Sequence, residues 1–535
     1  MNISSRLVNI ARQYPDVLAV VEPNGRSMTF AELNNDSDRI AAALIQSGVQ
    51  PGMRLALFVR YGIDFISLVF ALCKARTTLI LIDPGMGIRR MFQCLAEVEP
   101  DGFVAVPAVH LARLWFRTRF PKAKYHLTVG DRWFWGGLSL NEIRMKENND
   151  VIEPNLHVNE NELAAIIFTS GSTGPAKGVA FTHQIFDTQV SEIAERYNIQ
   201  PGEIDLACFP FFGLFDAAMG VTAIIPDINP AQPAAANPAK IVAAANRWKI
   251  TQSFASPALW NRVADYCIKT GNRLETLRRA VSAGAPVSAA TLAKLKPCIH
   301  PEGDIFTPYG ATEALPVASI SASEVLEETV KTTKLGGGVC VGKRFKTISW
   351  KVIEISDSPI PRLEDAKELN RGEIGELAVT GPQVTKMYIN RPKANDAAKM
   401  YDADGNVWHR MGDVGYLDPQ DRFWFCGRKA HRIEMLDKTF FTIPCEAVFN
   451  VHPKIYRSAL ASSPSKREPR MFIEPLPEHY PKTKKEKEQL IAELLELGSK
   501  NPLTVPIREI RIMKSFPVDV RHNIKINREL LSEIK

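Results

Sequence analysis

Six apolar residues in a row, LAAIIF at 163–168, run directly into TSGSTGPAKG at 169–178, where four hydroxyl side chains, three glycines and one lysine share ten positions. A short, unbroken apolar run of this kind is the pattern of a strand buried on both faces, as in a parallel-rich sheet covered by helices. The first three hundred residues keep that rhythm. RLALFV, TLILID and GFVAV are short apolar runs separated by helix-like stretches such as 63–75, the alternation of an α/β fold. Ahead of them, MTFAELNNDSDRIAAALIQSGV reads as an amphipathic helix, with Leu33, Ile40, Leu44 and Ile45 near one face and Gly48 placed to end it. From about 335 the texture shifts to short β-rich runs punctuated by glycine (ISWKVIEI, GEIGELAVTG), and KTKKEKEQLIAELLEL near the end reads as a charged entry into an exposed helix. INPAQPAAANPAK is Pro/Ala-rich and reads as a surface loop.

The segment after LAAIIF is therefore a loop leaving the carboxyl end of a strand, where sheets of this type bind ligands. Glycines let backbone N–H groups converge on one point, hydroxyls add donors, and Lys177 adds a point charge, which together suit the oxygens of a polyphosphate. A Walker A loop needs Gly-Lys-Ser/Thr, whereas Ala176-Lys177-Gly178 offers no hydroxyl to magnesium, so a P-loop ATPase fits poorly. A flexible Gly/Ser turn is the plain alternative.

At 535 residues, 45% hydrophobic and 23% charged, the chain has the composition of a globular protein of two or three domains. Its net charge of +7 is mild and its basic residues form no stripe, which argues against nucleic acid and for an anionic small substrate. Eight cysteines, at 73, 94, 208, 267, 298, 340, 426 and 445, show no C-x-x-C pair or zinc spacing, as expected of a reduced, cytoplasmic protein. MNISSRLVNIARQYPD is too polar for a signal peptide, and the longest apolar region is broken by Arg60, Asp64, Lys74 and Arg76, so no integral membrane association is expected.

FTSGSTGPAKG resembles the signature of the adenylate-forming superfamily, which includes acyl-CoA synthetases, nonribosomal adenylation domains and luciferases. Its other motifs follow in order: SAGAP at 282–286, PYGATE at 308–313, WHRMGDVGYLD around Asp413, and FCGRKAHRIE at the hinge. The resemblance implies a large N-terminal domain, 1–427, of mixed, mostly parallel sheets covered by helices plus a β-barrel-like subdomain, and a small mobile α+β lid, 428–535. It implies ATP and Mg2+ as cofactors, with ATP held by Thr169, Ser170, Gly171, Ser172, Thr173, Gly174 and Lys177, by Gly284, Ala285 and Pro286, and by Tyr309, Gly310, Ala311, Thr312 and Glu313. Tyr309 would stack on adenine, Thr312 contact the α-phosphate, Glu313 hold magnesium, and Asp413 bind the ribose hydroxyls with Arg428 assisting. These roles agree with the chemistry of an aromatic face, a hard-cation carboxylate and a diol acceptor. Taken singly, a core aromatic, a helix-start charge and a turn residue would explain the same side chains.

FPVDVRHNIKINREL resembles the segment that brings a catalytic lysine to the acyl phosphate, and the matching residue is Lys525. A cation there offsets repulsion between a carboxylate and the α-phosphate. The superfamily's Gly-Lys is Ile524-Lys525 here, which puts the loop geometry in question. Two further departures concern thioester formation: Ala430 replaces the hinge acid, and IEMLDKTFFTIP has Glu434 in place of a lysine and no glycine turn to line a pantetheine tunnel.

FPFFGLFDAAMGVT, SPALWNRVA, PYGATEALPVASI, CGRKAHRIE, FTIPCEAVFNVHP and FPVDVRHNIKI more closely resemble the β-lactone synthetases of bacterial long-chain olefin biosynthesis. That resemblance implies activation of a 2-alkyl-3-hydroxy fatty acid, whose own β-hydroxyl then displaces AMP; an internal nucleophile needs no coenzyme A. Phe211, Phe212, Phe215, Met219, Phe254 and Trp260 would supply the acyl wall, with ordinary core packing as the alternative for each. His183 and His431 are candidates to take the hydroxyl proton. A β-lactone decarboxylase of the α/β-hydrolase type is the implied partner. An acyl-CoA ligase and a non-catalytic nucleotide-binding relative are the other readings. LARLWFRTRFPKAKYH, which interleaves Arg113, Arg117, Arg119, Lys122 and Lys124 with Leu, Trp and Phe, fits contact with anionic lipid or a partner enzyme, or a merely amphipathic solvated segment.

Overall fold

The computed structural model of the chain describes residues 2–146, 156–159, 161–169, 176–229, 232–463, 468–518 and 526–534. The LAAIIF run is the strand Leu163–Phe168, and it is apolar throughout because it lies inside a seven-stranded sheet. The order across that sheet is Leu138–Ser139, Tyr125–Thr128, Gly102–Ala105, Arg54–Phe58, Thr78–Leu81, Leu163–Phe168, Gly178–Thr182. All neighbours are parallel except the last pair. Ile63–Lys74 and Phe30–Gln46 are helices, as the apolar spacing requires, and they pack on one another. The second opens with Thr29 and Glu32 exchanging hydrogen bonds in a capping box, buries Leu33, Ile40 and Leu44, and stops before Gly48 at φ +95°.

A second sheet, fourteen-stranded among the described residues, is parallel in one half, apart from the antiparallel edge strand Ser27–Thr29, and antiparallel in the other. Its parallel part runs Leu18–Val21, Thr222–Ile224, Ile204–Ala207, Gln252–Ala255, Arg279–Ser282, Asp304–Ala311. One face packs on the helices Pro238–Trp248 and Pro257–Thr270, around Trp260, Val263 and Ala280. The other faces the helices His183–Tyr197 and Pro210–Met219, where Phe212 stacks on Phe254 and Tyr197 meets Phe306. Beyond Ala314–Ser321 the glycine-punctuated runs form the antiparallel part, through Val339–Arg344, Arg422–Arg428, Val407–Leu417, Gly375–Thr380 and Ser349–Ile353. INPAQPAAANPAK is only partly a loop: Asn237 caps a helix that begins at Pro238.

The last hundred residues build a third sheet, Ile455–Ser462, Pro469–Pro475 and Glu509–Ile512, covered by the helices Thr442–Asn450 and Lys484–Ser499. Phe449, Leu460, Met471, Ile473, Leu490 and Leu494 make a core of its own. No described helix is long and apolar enough to cross a membrane.

Candidate active site

The phosphate-type loop is pinched at its neck. Thr169 N–H donates to the Lys177 carbonyl (3.1 Å), and Lys177 N–H donates to Thr169 Oγ1 (3.2 Å). Ser170, Gly171, Ser172, Thr173 and Gly174 lie outside the described residues, as does Lys525. Immediately after the neck, strand Gly178–Thr182 is laced to the segment 384–389: Ala180 N–H donates to the Met387 carbonyl and Ile389 N–H to the Gly178 carbonyl. The same segment pairs Val384 with Ala314, so it ties the loop strand of one sheet to the PYGATE hairpin of the other.

This strap carries Tyr388 into the site. Its hydroxyl donates to Glu313 Oε1 (2.7 Å), and the Lys177 ammonium stands 4.7 Å from its ring centroid. Glu313 occupies the turn between strands Asp304–Ala311 and Ala314–Ser321, with Thr312 beside it. Its carbonyl accepts from both the backbone N–H and the hydroxyl of Thr385 (2.9 Å each). Gly310 makes the strand bulge that precedes this turn; a Cβ there would lie 2.6 Å from the Ala314 carbonyl oxygen.

Across the hairpin, Tyr309 donates its hydroxyl to Asp413 Oδ2 (2.5 Å), and Arg428 Nη1 stands 2.7 Å from Asp413 Oδ1. Asp413 and Arg428 face each other on adjacent antiparallel strands, which sets this spacing. Burial pushes the Asp413 carboxyl up while Arg428 and Tyr309 oppose the shift; Arg428 is in turn raised chiefly by Asp413. The Glu313 charge reaches both, so the two halves share one electrostatic site. Gly284, Ala285 and Pro286 leave the end of strand Arg279–Ser282, parallel neighbour of the Tyr309 strand, with Gly284 at φ +89°.

Behind the strap lies Lys399, buried, whose ammonium donates to the Thr385 carbonyl and stands 5.8 Å from the Tyr388 ring centroid. Burial pushes it down to about 7, with Glu313 pulling the other way. His409, cross-strand from Lys399, is likewise pushed well down by burial and by the nearby lysines.

The structure brings Phe212, Phe215 and Phe254 together: Phe212 lies 3.7 Å from Phe254 in a 15° stack and 5.7 Å from Phe215. It does not bring Trp260 there, because Trp260 sits on the opposite face of the sheet, donating its indole N–H to the Val281 carbonyl. Phe211 packs towards Leu7 and Phe30, and Met219 towards the core between the sheets. A cavity lined by Phe212, Phe254, Val281, Asp205, Gln252 and Arg279 follows the stacked pair. Asp205 and Asp216 are close enough to hydrogen-bond once one carries a proton, and burial raises both carboxyls. His183 is buried beside Glu162 and Arg76 and pushed down to about 4 by burial. His431 lies 3.3 Å from Glu529 and within the field of Arg428, lowered by burial.

Tyr388, Thr385, Lys399 and His409 escape a motif-based reading because each acts through partners distant in sequence; the signal available was a lysine in an otherwise ordinary strand, AAKMY. Asp205 and Asp216 were legible only as carboxylates inside apolar runs.

Residues 7–389 match the AMP-binding enzyme family. Over 99% of this chain and 97% of the relative, the chain is 40% identical to an olefin beta-lactone synthetase of Xanthomonas campestris pv. campestris. A second olefin beta-lactone synthetase, from Stenotrophomonas maltophilia, is 38% identical with the same coverage. Among solved structures, ATP-bound MatB from Rhodopseudomonas palustris superposes with TM-score 0.79 at 19% identity, covering 100% of this chain and 99% of that one. The O-succinylbenzoate coenzyme A synthetase of Bacillus subtilis in complex with ATP and magnesium ion does so with TM-score 0.76 at 20% identity, covering 99% of each. These structures share the fold. With the match to its family model spanning most of its length, the chain belongs to the AMP-binding enzymes.

Proposed function

We propose that the protein is an ATP-dependent β-lactone synthetase acting on a long-chain 2-alkyl-3-hydroxy fatty acid. The observation that carries the adenylating half is the Lys177–Tyr388–Glu313 array beside Asp413, Tyr309 and Arg428: a cation and a carboxylate on one phenol, next to a buried diol acceptor. In that half, a substrate carboxylate oxygen bonds to the α-phosphorus as pyrophosphate leaves, with Lys177 and Lys525 offsetting the charge, Thr312 and the loop donors on the phosphates, the adenine against the Tyr309 ring and the ribose hydroxyls on Asp413. Glu313 suits Mg2+, a hard cation that takes one or two protein carboxylates and completes its shell with water and phosphate oxygens. Magnesium would supply charge neutralisation at the phosphates.

In the second half the β-hydroxyl oxygen bonds to the activated carbonyl, the mixed anhydride breaks, and AMP departs as the hydroxyl proton is lost. Full-length likeness to two olefin beta-lactone synthetases supports this step. So does the stretch where a thiol arm would need room: Phe440 is fully buried and, with Phe441 and Pro444, lines a small cavity against Gly336 and Gly337. Residues 428–535 would act as a lid turning about Lys429–His431, the site would work in the cytoplasm, and a β-lactone decarboxylase of the α/β-hydrolase type would consume the product.

The test is product analysis by proton NMR after incubation with ATP, magnesium and a racemic 2-alkyl-3-hydroxy fatty acid, with and without coenzyme A. A β-lactone with AMP and pyrophosphate, indifferent to coenzyme A, is expected. A thioester formed only with coenzyme A would overturn the cyclising reading in favour of a ligase.

A further inference from the structure

The segment from 111 to 137 holds six basic residues and one acidic one, a net +5 within a chain whose total is +7. It also exposes its largest apolar side chains. Trp115 is 85% exposed, Phe134 77% and Trp133 54%, with Leu111 exposed beside them. Nothing in the catalytic reading uses them.

These side chains share one part of the molecule for a topological reason. Strands Gly102–Ala105 and Tyr125–Thr128 are parallel neighbours, so the helix Pro107–Trp115 and the loop 129–137 leave the same edge of the sheet, about 5 Å apart at their roots. The loop is pinned to the helix. Trp135 stacks on the buried His110 (5.5 Å, 24°) and donates its indole N–H to Thr128 Oγ1 (3.0 Å). Arg132 adds a hydrogen bond to the Gly137 carbonyl and an ion pair to Glu142 (2.7 Å). So held, the loop turns Trp133 and Phe134 outward against Trp135. On the helix, Leu111 and Trp115 are four residues apart and continue the apolar line. Arg117, Arg119 and Lys124 follow it, all exposed, with the Arg119 guanidinium 5.5 Å over the Phe116 ring.

We propose that this face docks on the surface of an anionic lipid bilayer. Indole and phenyl rings on a fixed loop suit the headgroup boundary, where an amphipathic ring has both apolar and polar neighbours. Arg113 is buried and Lys122 and Arg132 pair with Glu99 and Glu142, so the cations facing outward are Arg117, Arg119 and Lys124, complementary to a negative leaflet. The loop root lies on the same sheet edge as the Thr169–Lys177 neck, four strand spacings or about 19 Å away, so a bilayer there would sit beside the site without covering it. The surface is read from these residues alone and stands whether or not the substrate is a branched lipid acid.

The test is sedimentation of the full-length protein with phosphatidylglycerol/phosphatidylcholine vesicles and with pure phosphatidylcholine vesicles, at low and high salt. The protein should pellet with the anionic vesicles at least about tenfold better than with the neutral ones, and lose that preference in high salt. Trp133→Ala with Phe134→Ala should cut binding to anionic vesicles about tenfold or more, and Arg117→Glu with Arg119→Glu should erase the lipid preference. Both double variants should keep the parent melting temperature and rate of pyrophosphate release. Equal binding to both vesicle types, no binding to either, or variants that pellet like the parent would each overturn the proposal. So would self-association of the parent, abolished in the variants without any vesicle binding, which would make the face a protein contact.

Discussion

Tyr388 is the side chain on which the site turns, since its hydroxyl and its ring serve opposite charges. Tyr388→Phe keeps the ring for Lys177 and removes the hydrogen bond to Glu313. A hydrogen bond to a charged group is worth about 1.5–3 kcal/mol, so kcat/KM for pyrophosphate release should fall about 10- to 100-fold, with a higher magnesium requirement. A Phe variant with unchanged magnesium dependence would separate Tyr388 from the carboxylate's function. His183 allows a pH prediction. Its folded value of about 4 lies below the ordinary value near 6.5, so between those limits the unfolded chain binds the extra proton and stability rises with pH. His183→Leu should remove about 3 kcal/mol of the stability lost on acidification from pH 6.5 to 4, as read by denaturant unfolding at the two pH values. At this scale the motif residues Lys177, Tyr309, Glu313, Asp413 and Arg428 could be named from the sequence, and the structure brings them together. Tyr388 and Lys399 were not: Tyr388 meets Glu313 from 75 positions away, and Lys399 is distinguished only by its burial.

The elements were read most securely where one face or both faces had to be apolar. RLALFV, TLILID, GFVAV and LAAIIF are strands, and the 30–46 helix buries Leu33, Ile40 and Leu44 as its periodicity requires, with Ile45 half-buried. The acyl wall shows the limit of the same reasoning. Phe254 and Trp260 are close in sequence, yet the strand ends at Ala255 and a helix begins at Pro257, so the two rings finish on opposite faces of the sheet. Only pairing and packing tell an aromatic that lines a cavity from one that fills a core. The hairpin bulge supplies the prediction proper to this scale. Gly310→Ala places a Cβ 2.6 Å from the Ala314 carbonyl oxygen and forces apart the two strands that flank the Glu313 turn. Nucleotide affinity should fall about tenfold or more, alongside a destabilisation of about 1–3 kcal/mol, measured by calorimetric titration and thermal melting. Parent-like affinity would show that the bulge tolerates a methyl group.

Across the whole molecule, the two large sheets meet at the strap 384–389 while the last hundred residues carry a separate core. The junction with that last unit runs through a buried charge cluster. Glu376 holds Arg410 (2.5 Å) and Lys429 (3.1 Å), and both Glu376 and Arg410 are almost fully enclosed. Glu376→Gln leaves the arginine uncompensated and should cost about 3–5 kcal/mol in denaturant unfolding, whereas breaking an exposed pair such as Lys346–Glu195 should cost far less. A loss at Glu376 no larger than at the exposed pair would mean that water reaches the cluster. The change of sequence texture near 335 falls after the hairpin of Asp304–Ala311 and Ala314–Ser321, where the second sheet already turns antiparallel, and Lys429 binds back to Glu376 by tertiary contact, which local sequence pattern does not encode.

The strap also gives the site a reciprocity. Because one phenol stands between the carboxylate and the cation, a ligand that draws Glu313 away from the hydroxyl alters the ring that Lys177 faces, and a ligand that draws Lys177 away alters the hydroxyl that Glu313 accepts. Two ligands that share such an intermediary are thermodynamically linked: the factor by which a divalent cation tightens nucleotide is the factor by which nucleotide tightens the cation.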